Sequence, residues 1–260
     1  MLILLNGMYI PLQDAYFWMI NTSTMNKFKL LAIPVVMIAT VLFLQSFRSD
    51  KSTMDVKEFE ISAFTEIAID GSLNVEYTQS EVVSAKLEAS AEDLEHLTLE
   101  VKNETLRVKY EEKRNYKSVK LYVSGPHLKT VSIAGSGNFK GMNTITEPVI
   151  EFSIAGSGNS QATVQSDEVK TDIAGSGNVN LDGNTKKLKI DIAGSGNVKS
   201  NGCNADAIKV SIAGSGSAYV KSNGELSVSV AGSGSVYYTG DPKSVKQDIS
   251  GSGTVKRKDS

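Results

Sequence analysis

The chain has 260 residues, enough for one large domain or two ordinary ones. Its net charge is −2 with 22% charged residues, which gives no basic excess for nucleic acid or for an anionic membrane surface. Aromatic residues make up 7% while 22 glycines recur at near-regular intervals, which suits repetitive β structure better than helices, and the single cysteine, Cys203, excludes an internal disulfide and a multi-cysteine metal site.

Residues 30–44 form an uninterrupted apolar run, with Lys27 and Lys29 ahead of it and Met25 just before them. A basic segment followed by such a run is the layout of a secretory signal, and a hydrophobic helix is expected there. At about 1.5 Å per residue the run is short for a membrane span, so a cleaved signal peptide and an uncleaved signal anchor both stay open for residues 25–50. Membrane attachment is expected only in the second case. No cysteine closes the run, which argues against a lipoprotein anchor. Residues 1–24 contain Tyr16, Phe17 and Trp18 but one charge, Asp14, and do not fit in front of a signal. Translation is therefore expected to begin at Met25, with 1–24 an extension; the other reading is a second membrane segment.

Residues 51–127 alternate apolar and polar positions over 82–89, 97–101, 106–110 and 119–123, as strands with one buried face do. Ile67 to Val75 reads as a degenerate copy of a motif that becomes regular further on, with Leu73 where a second glycine would stand. Gly71 lies 64 residues before Gly135, about three periods, which predicts two irregular coils between them. Glu111 to Asn115 reads as a solvated charged turn. Atypical coils of this kind are expected to cap the end of a stack.

Residues 128–260 carry seven copies of one motif, beginning Ala134-Gly135-Ser136-Gly137 and returning at Ala155, Ala174, Ala193, Ala213, Ala231 and Ser250, in steps of 21, 19, 19, 20, 18 and 19 residues. Such a period is the signature of a solenoid. Before each motif apolar residues alternate with polar ones, as in Leu188, Ile190 and Ile192 against Lys189 and Asp191. After it comes a short second strand and then a second turn, marked by Asp182-Gly183-Asn184, Asn201-Gly202, Asn223-Gly224 and Gly240-Asp241. The reading is an all-β, single-stranded parallel β-helix of coils about 19 residues long, right-handed by the crossover rule, with an irregular N-terminal cap. The structural residues of the turns are Gly135, Gly137, Gly156, Gly158, Gly175, Gly177, Gly194, Gly196, Gly214, Gly216, Gly232, Gly234, Gly251 and Gly253, which permit tight corners and close approach between coils. With coils about 4.8 Å apart, Asn138, Asn159, Asn178 and Asn197 are expected to form a hydrogen-bonded ladder, continued by Ser217, Ser235 and Thr254. Lys256, Arg257, Lys258 and Asp259 are expected to discourage edge pairing at the far end.

Tyr122 to Asn138, with Gly125-Pro126-His127-Leu128 leading into Ala134-Gly135-Ser136-Gly137-Asn138, resembles the signature of the head GIN domain of putative auto-transporter adhesins. Phe59 to Ile67 resembles the opening of that domain, and the resemblance extends over about residues 58–257. It implies a β-helical fold, export by Bacteroidetes-type bacteria and residence in the cell envelope or on its surface. The family supplies no binding residues to carry over, and the chain lacks a translocator barrel.

Long β-helices also serve polysaccharide-cleaving enzymes, which need clustered acids, bases or metal ligands on one face. The only two histidines, His96 and His127, lie outside the regular repeats, and His127 reads as a surface turn residue. Glu151, Asp172 and Asp191 read as solvated strand residues, with Lys189 and Lys209 as cross-strand partners. The turns carry Ser and Asn rather than the Asp of calcium-binding rolls, and nothing reads as the helix N-terminus that phosphate binding needs. No catalytic, cofactor or metal site is therefore expected. The leading expectation is a non-catalytic envelope or surface protein offering polar ladders to a glycan or a surface protein. A carbohydrate-active enzyme and a structural periplasmic module are the alternatives.

Overall fold

The computed structural model describes residues 2–5, 8–11, 54–111, 116 and 118–258. The apolar run at 30–44 with its expected helix, the start at Met25 and most of the charged turn at 111–115 lie outside the described residues. No helix among the described residues is long and apolar enough to cross a membrane. Residues 1–52 form a unit of their own. In it β1 (Leu2–Leu5) pairs antiparallel with β2 (Met8–Pro11), Leu2 opposite Pro11.

The second unit, 53–260, is a β-solenoid of about seven turns. Its regular coils are β11 (Asn138–Gly156), β12 (Asn159–Gly175), β13 (Asn178–Gly194), β14 (Asn197–Gly214) and β15 (Ser217–Gly232). The next coil is divided into β16 (Ser235–Thr239) and β17 (Ser244–Gly251), and β18 (Thr254–Arg257) follows. Each coil pairs in parallel with the next, and motif residues stack in register, as in Ala155↔Ala174↔Ala193. Inward positions of successive coils form apolar columns, for example Ile133, Ile154, Ile173, Ile192 and Ile212, all buried.

The steps of 21 and 20 residues are absorbed by register shifts, between Lys140 and Thr144 in β11 and opposite Asn180 to Asp182 in β14. Both shifts lie in the stretch leading to the second turn. The strands that precede the Gly motif therefore stay aligned whatever the coil length.

The irregular part differs from its expected order. It consists of β3 (Met54–Phe59), β4 (Glu66–Gly71), β5 (Asn74–Gln79), β6 (Ser84–Ser90), the one-turn α1 (Ala91–Leu94), β7 (Leu97–Lys102), β8 (Thr105–Tyr110), β9 (Lys120–Gly125) and β10 (Thr130–Gly135). Gly71 sits directly beside Gly135 and Asp70 beside Ala134, so no coils lie between them. The intervening chain instead passes to the outer side of β4 and β5. There β8 pairs with β4 and β9 with β5, both in parallel. Antiparallel pairs then close this end: β7 with β8, and β6 with both β9 and β3. Period-2 alternation is the same in antiparallel and coiled strands, so the 64-residue spacing could not separate them.

Aromatic rings fill the cap end of the core. Phe64, Tyr77, Phe139 and Phe152 follow one another with centroids 6.4, 6.4 and 6.2 Å apart. In β12, Ser160 lies beside Phe139 and Thr171 beside Phe152 in the same inward columns. Smaller side chains at these places leave room for the rings. The Ser160 Oγ and Thr171 Oγ1 hydroxyls are buried without a hydrogen-bond partner. An unpaired buried hydroxyl carries its full desolvation cost. Thr171→Val is therefore expected to stabilise the protein, by about 1 kcal/mol, since it keeps the shape and removes the unmet group. Chemical denaturation would show this as a higher midpoint; a lower one would mean that the hydroxyl has a partner in solution.

Cys203 is buried, and burial first, with the charge of Asp182 second, pushes its thiol up to about 11. It behaves as a core residue of the second turn, stacked beside Gly183.

Candidate functional site

The motif corner shows two distinct uses of glycine. Gly175 holds φ +131°, and a Cβ there would lie 2.4 Å from the Gly156 carbonyl oxygen of the preceding coil. Gly177 has no positive φ, but a Cβ would meet Ile154 Cγ2 at 2.6 Å and the Gly158 oxygen at 2.8 Å. The same division holds for the first glycines, 135, 156, 194, 214, 232 and 251, and for the second, 137, 158, 196, 216, 234 and 253. These contacts let backbone bond to backbone at the corner, Ser176 N–H donating to the Gly156 carbonyl at 2.8 Å and Asn178 N–H to that of Gly158 at 3.0 Å.

The amide ladder beside this corner begins one coil earlier than the perfect motifs. Asn138 donates to Asn74 at 2.7 Å, Asn159 to Asn138 at 2.8 Å, Asn178 to Asn159 at 2.9 Å and Asn197 to Asn178 at 3.1 Å. Ser217, Ser235 and Thr254 occupy the same column in the following coils. Across the corner lies a shallow groove of about 490 Å³, floored by alanines such as Ala174, Ala193 and Ala213 and edged by Ser153, Asp172, Asp191 and Ser211. Asp172 and Asp191 are neighbours in one column; burial, then the Asp191 charge, holds the Asp172 carboxyl above its ordinary value. Glu151 stands in another column, beside Lys170. Lys189 pairs with Asp191 of its own strand instead of across strands, two residues apart on one exposed face.

A second groove of about 500 Å³ runs over the second turn, lined by polar and charged residues together with Pro148. Gln165, Asn184 and Asn204 share a column in it. Asn184 Nδ2 donates to Gln165 Oε1 at 3.3 Å, and Asn204 Nδ2 to Asn184 Oδ1 at 3.1 Å. Thr146 and Gln79 prolong this line toward the cap, where the Thr146 N–H donates to Gln79 Oε1 at 2.7 Å. Lys186 and Asp167 form an ion pair at 2.7 Å on its rim, and Asp206 lies alongside. Reading by motif misses this second ladder. Gln165 and Asn184 each follow their motif's first glycine by 9 residues, but Asn204 follows Gly194 by 10, the extra residue of its coil.

At the cap end of this groove Glu147 is buried, its side chain 3% exposed. Its Oε1 accepts from the Leu128 N–H at 3.1 Å and lies 3.0 Å from His127 Nδ1. His127 is on the surface as expected, yet its ring is tied to a carboxylate one coil on. Burial, then the Glu147 charge, pushes the Tyr77 phenol up, and its hydroxyl donates to the Gly125 carbonyl at 2.7 Å. Gln79 and Asn143 complete the seam, the Gln79 N–H donating to Asn143 Oδ1 at 2.9 Å and Asn143 Nδ2 to the Gln79 carbonyl at 2.9 Å. Among the described residues no group of three or more His, Cys, Asp or Glu is placed to hold a metal ion.

The family profile described as "Putative auto-transporter adhesin, head GIN domain" matches residues 63–242. The chain belongs to this family. Solved structures agree in fold. A protein from Bacteroides fragilis described as a putative adhesin superposes with TM-score 0.75 at 23% identity, over 79% of this chain and 97% of that one. A putative adhesin from Parabacteroides distasonis gives TM-score 0.68 at 22% identity over 80% and 98%. A second protein from that organism, described as a putative lipid binding protein, gives TM-score 0.68 at 25% identity over the same shares. Comparison with curated proteins gave no match. These structures share the solenoid scaffold of this GIN-domain chain.

Proposed function

We propose that this GIN-domain protein is a non-catalytic adhesin of the cell envelope, exported and displayed at the surface, which holds a glycan or a surface protein along its polar second groove. The observation that carries this reading is the in-register column Gln165, Asn184 and Asn204, which repeats one recognition group at each coil. Amides offer both donor and acceptor, and hydroxyls and carboxylates line the same groove, as a polyhydroxylated ligand requires. Repeated weak contacts at fixed spacing add up along an extended ligand. The family description and the adhesin-like relatives support the same reading.

The test is binding of the full chain to panels of envelope and host glycans and surface proteins, beside a Gln165→Ala/Asn184→Ala/Asn204→Ala variant. The chain is expected to bind, and the variant to lose about tenfold or more in affinity while keeping its circular dichroism spectrum. Absence of binding to every panel, or binding indifferent to the triple substitution, would overturn the assignment to this groove. Protease shaving of intact cells tests display: loss of the repeat region is expected, and its protection until lysis would place it inside the envelope.

A further inference from the structure

The two ends of the solenoid are finished differently. At the cap end antiparallel strands and α1 cover the core. At the other end β17 (Ser244–Gly251) has a single hydrogen-bonded neighbour among the described strands, β15. Its inward positions continue the core columns, Val245 after Leu226 and Ile249 after Val230. Leu226 and Val230 are each 1% exposed, whereas Val245 is 38% and Ile249 37% exposed. Burial of such residues is what the columns select for elsewhere; here one side of each is bare.

From this edge we propose that a second copy of the chain pairs with β17, antiparallel, about a two-fold axis through Gln247. The sequence of β17 is complementary to itself in that register. Val245 falls opposite Ile249 of the other copy, and Lys246 opposite Asp248, so each apolar side chain meets an apolar one and each charge its opposite, twice over. Gln247 meets itself on the axis, where two amides can donate to one another. It stands in the inward column directly after Val228, which is buried in the coil below. Shifting the register by two residues would set Lys246 against itself or Asp248 against itself, which like charges directly opposite disfavour. β18 does not share this property, because Lys256, Arg257 and Lys258 are alike in sign. An isologous contact of this kind closes as a dimer and adds no further edge. One strand per copy is a small contact, so the dimer is weak and its population depends on concentration.

Sedimentation equilibrium of the full chain tests it, with Lys246→Glu and the exchanged pair Lys246→Glu/Asp248→Lys as variants. All three share residues 30–44, so differences among them report on β17. The native chain is expected to self-associate reversibly. Lys246→Glu should weaken association by about tenfold, since two attractive pairs become repulsive, and the exchanged pair should restore it. These residues are exposed, so the thermal melt at low concentration is expected to stay unchanged. A native chain that remains monomeric, equal association in all three proteins, or failure of the exchanged pair to restore it would each overturn the proposal.

Discussion

Gly175→Ala is expected to cost about 4 kcal/mol or more and to open the stack between β11 and β12. Two effects combine. The φ of +131° is a region that L side chains rarely adopt, worth about 1–3 kcal/mol by itself. The added Cβ would also lie 2.4 Å from the Gly156 oxygen, which is backbone and already accepts from Ser176 N–H at 2.8 Å. The neighbour cannot move without breaking the bonds that join coils. The control is Gly71→Ala, at φ +73° with nothing within 4 Å of the added carbon, where a cost of about 1 kcal/mol is expected. Urea denaturation of both variants decides the matter; equal losses would mean that inter-coil contact contributes nothing beyond backbone preference.

Glu147→Ala is expected to destabilise by about 3 kcal/mol, and Glu147→Gln by much less. The alanine leaves the Leu128 N–H buried without its acceptor and frees the His127 ring, where the cap meets the first regular coil. Glutamine keeps at the Oε1 position one carbonyl oxygen that can accept from both the Leu128 N–H and the His127 ring. The loss should therefore follow acceptor geometry, and urea midpoints of the two variants measure it. If glutamine costs as much as alanine, the negative charge itself holds the seam together.

Much of this architecture is written locally in the chain. A corner that admits only glycine recurs wherever coils stack, so the position of Gly135, Gly156 and Gly175 also fixes which residues align. The asparagine column follows because Asn138, Asn159 and Asn178 each stand three residues after such a glycine. Features that depend on contact between distant or unequal segments are not legible in this way. The passage of β8 and β9 to the outer side of β4 and β5 rests on pairings, and either order keeps the same alternation. Asn204 falls out of step with Asn184 through one inserted residue, which hides the second ladder. Glu147 looks like an ordinary strand carboxylate until the Leu128 turn, 19 residues earlier, folds over it.

The register shifts near Lys140 to Thr144 and opposite Asn180 to Asp182 have an evolutionary consequence. Because one corner takes up every added residue, small insertions and deletions in the gene can accumulate there without misaligning the other two-thirds of the coil. That corner borders the polar groove. A change in repeat length would thereby alter the outline of that groove while the register of the scaffold beneath stays constant.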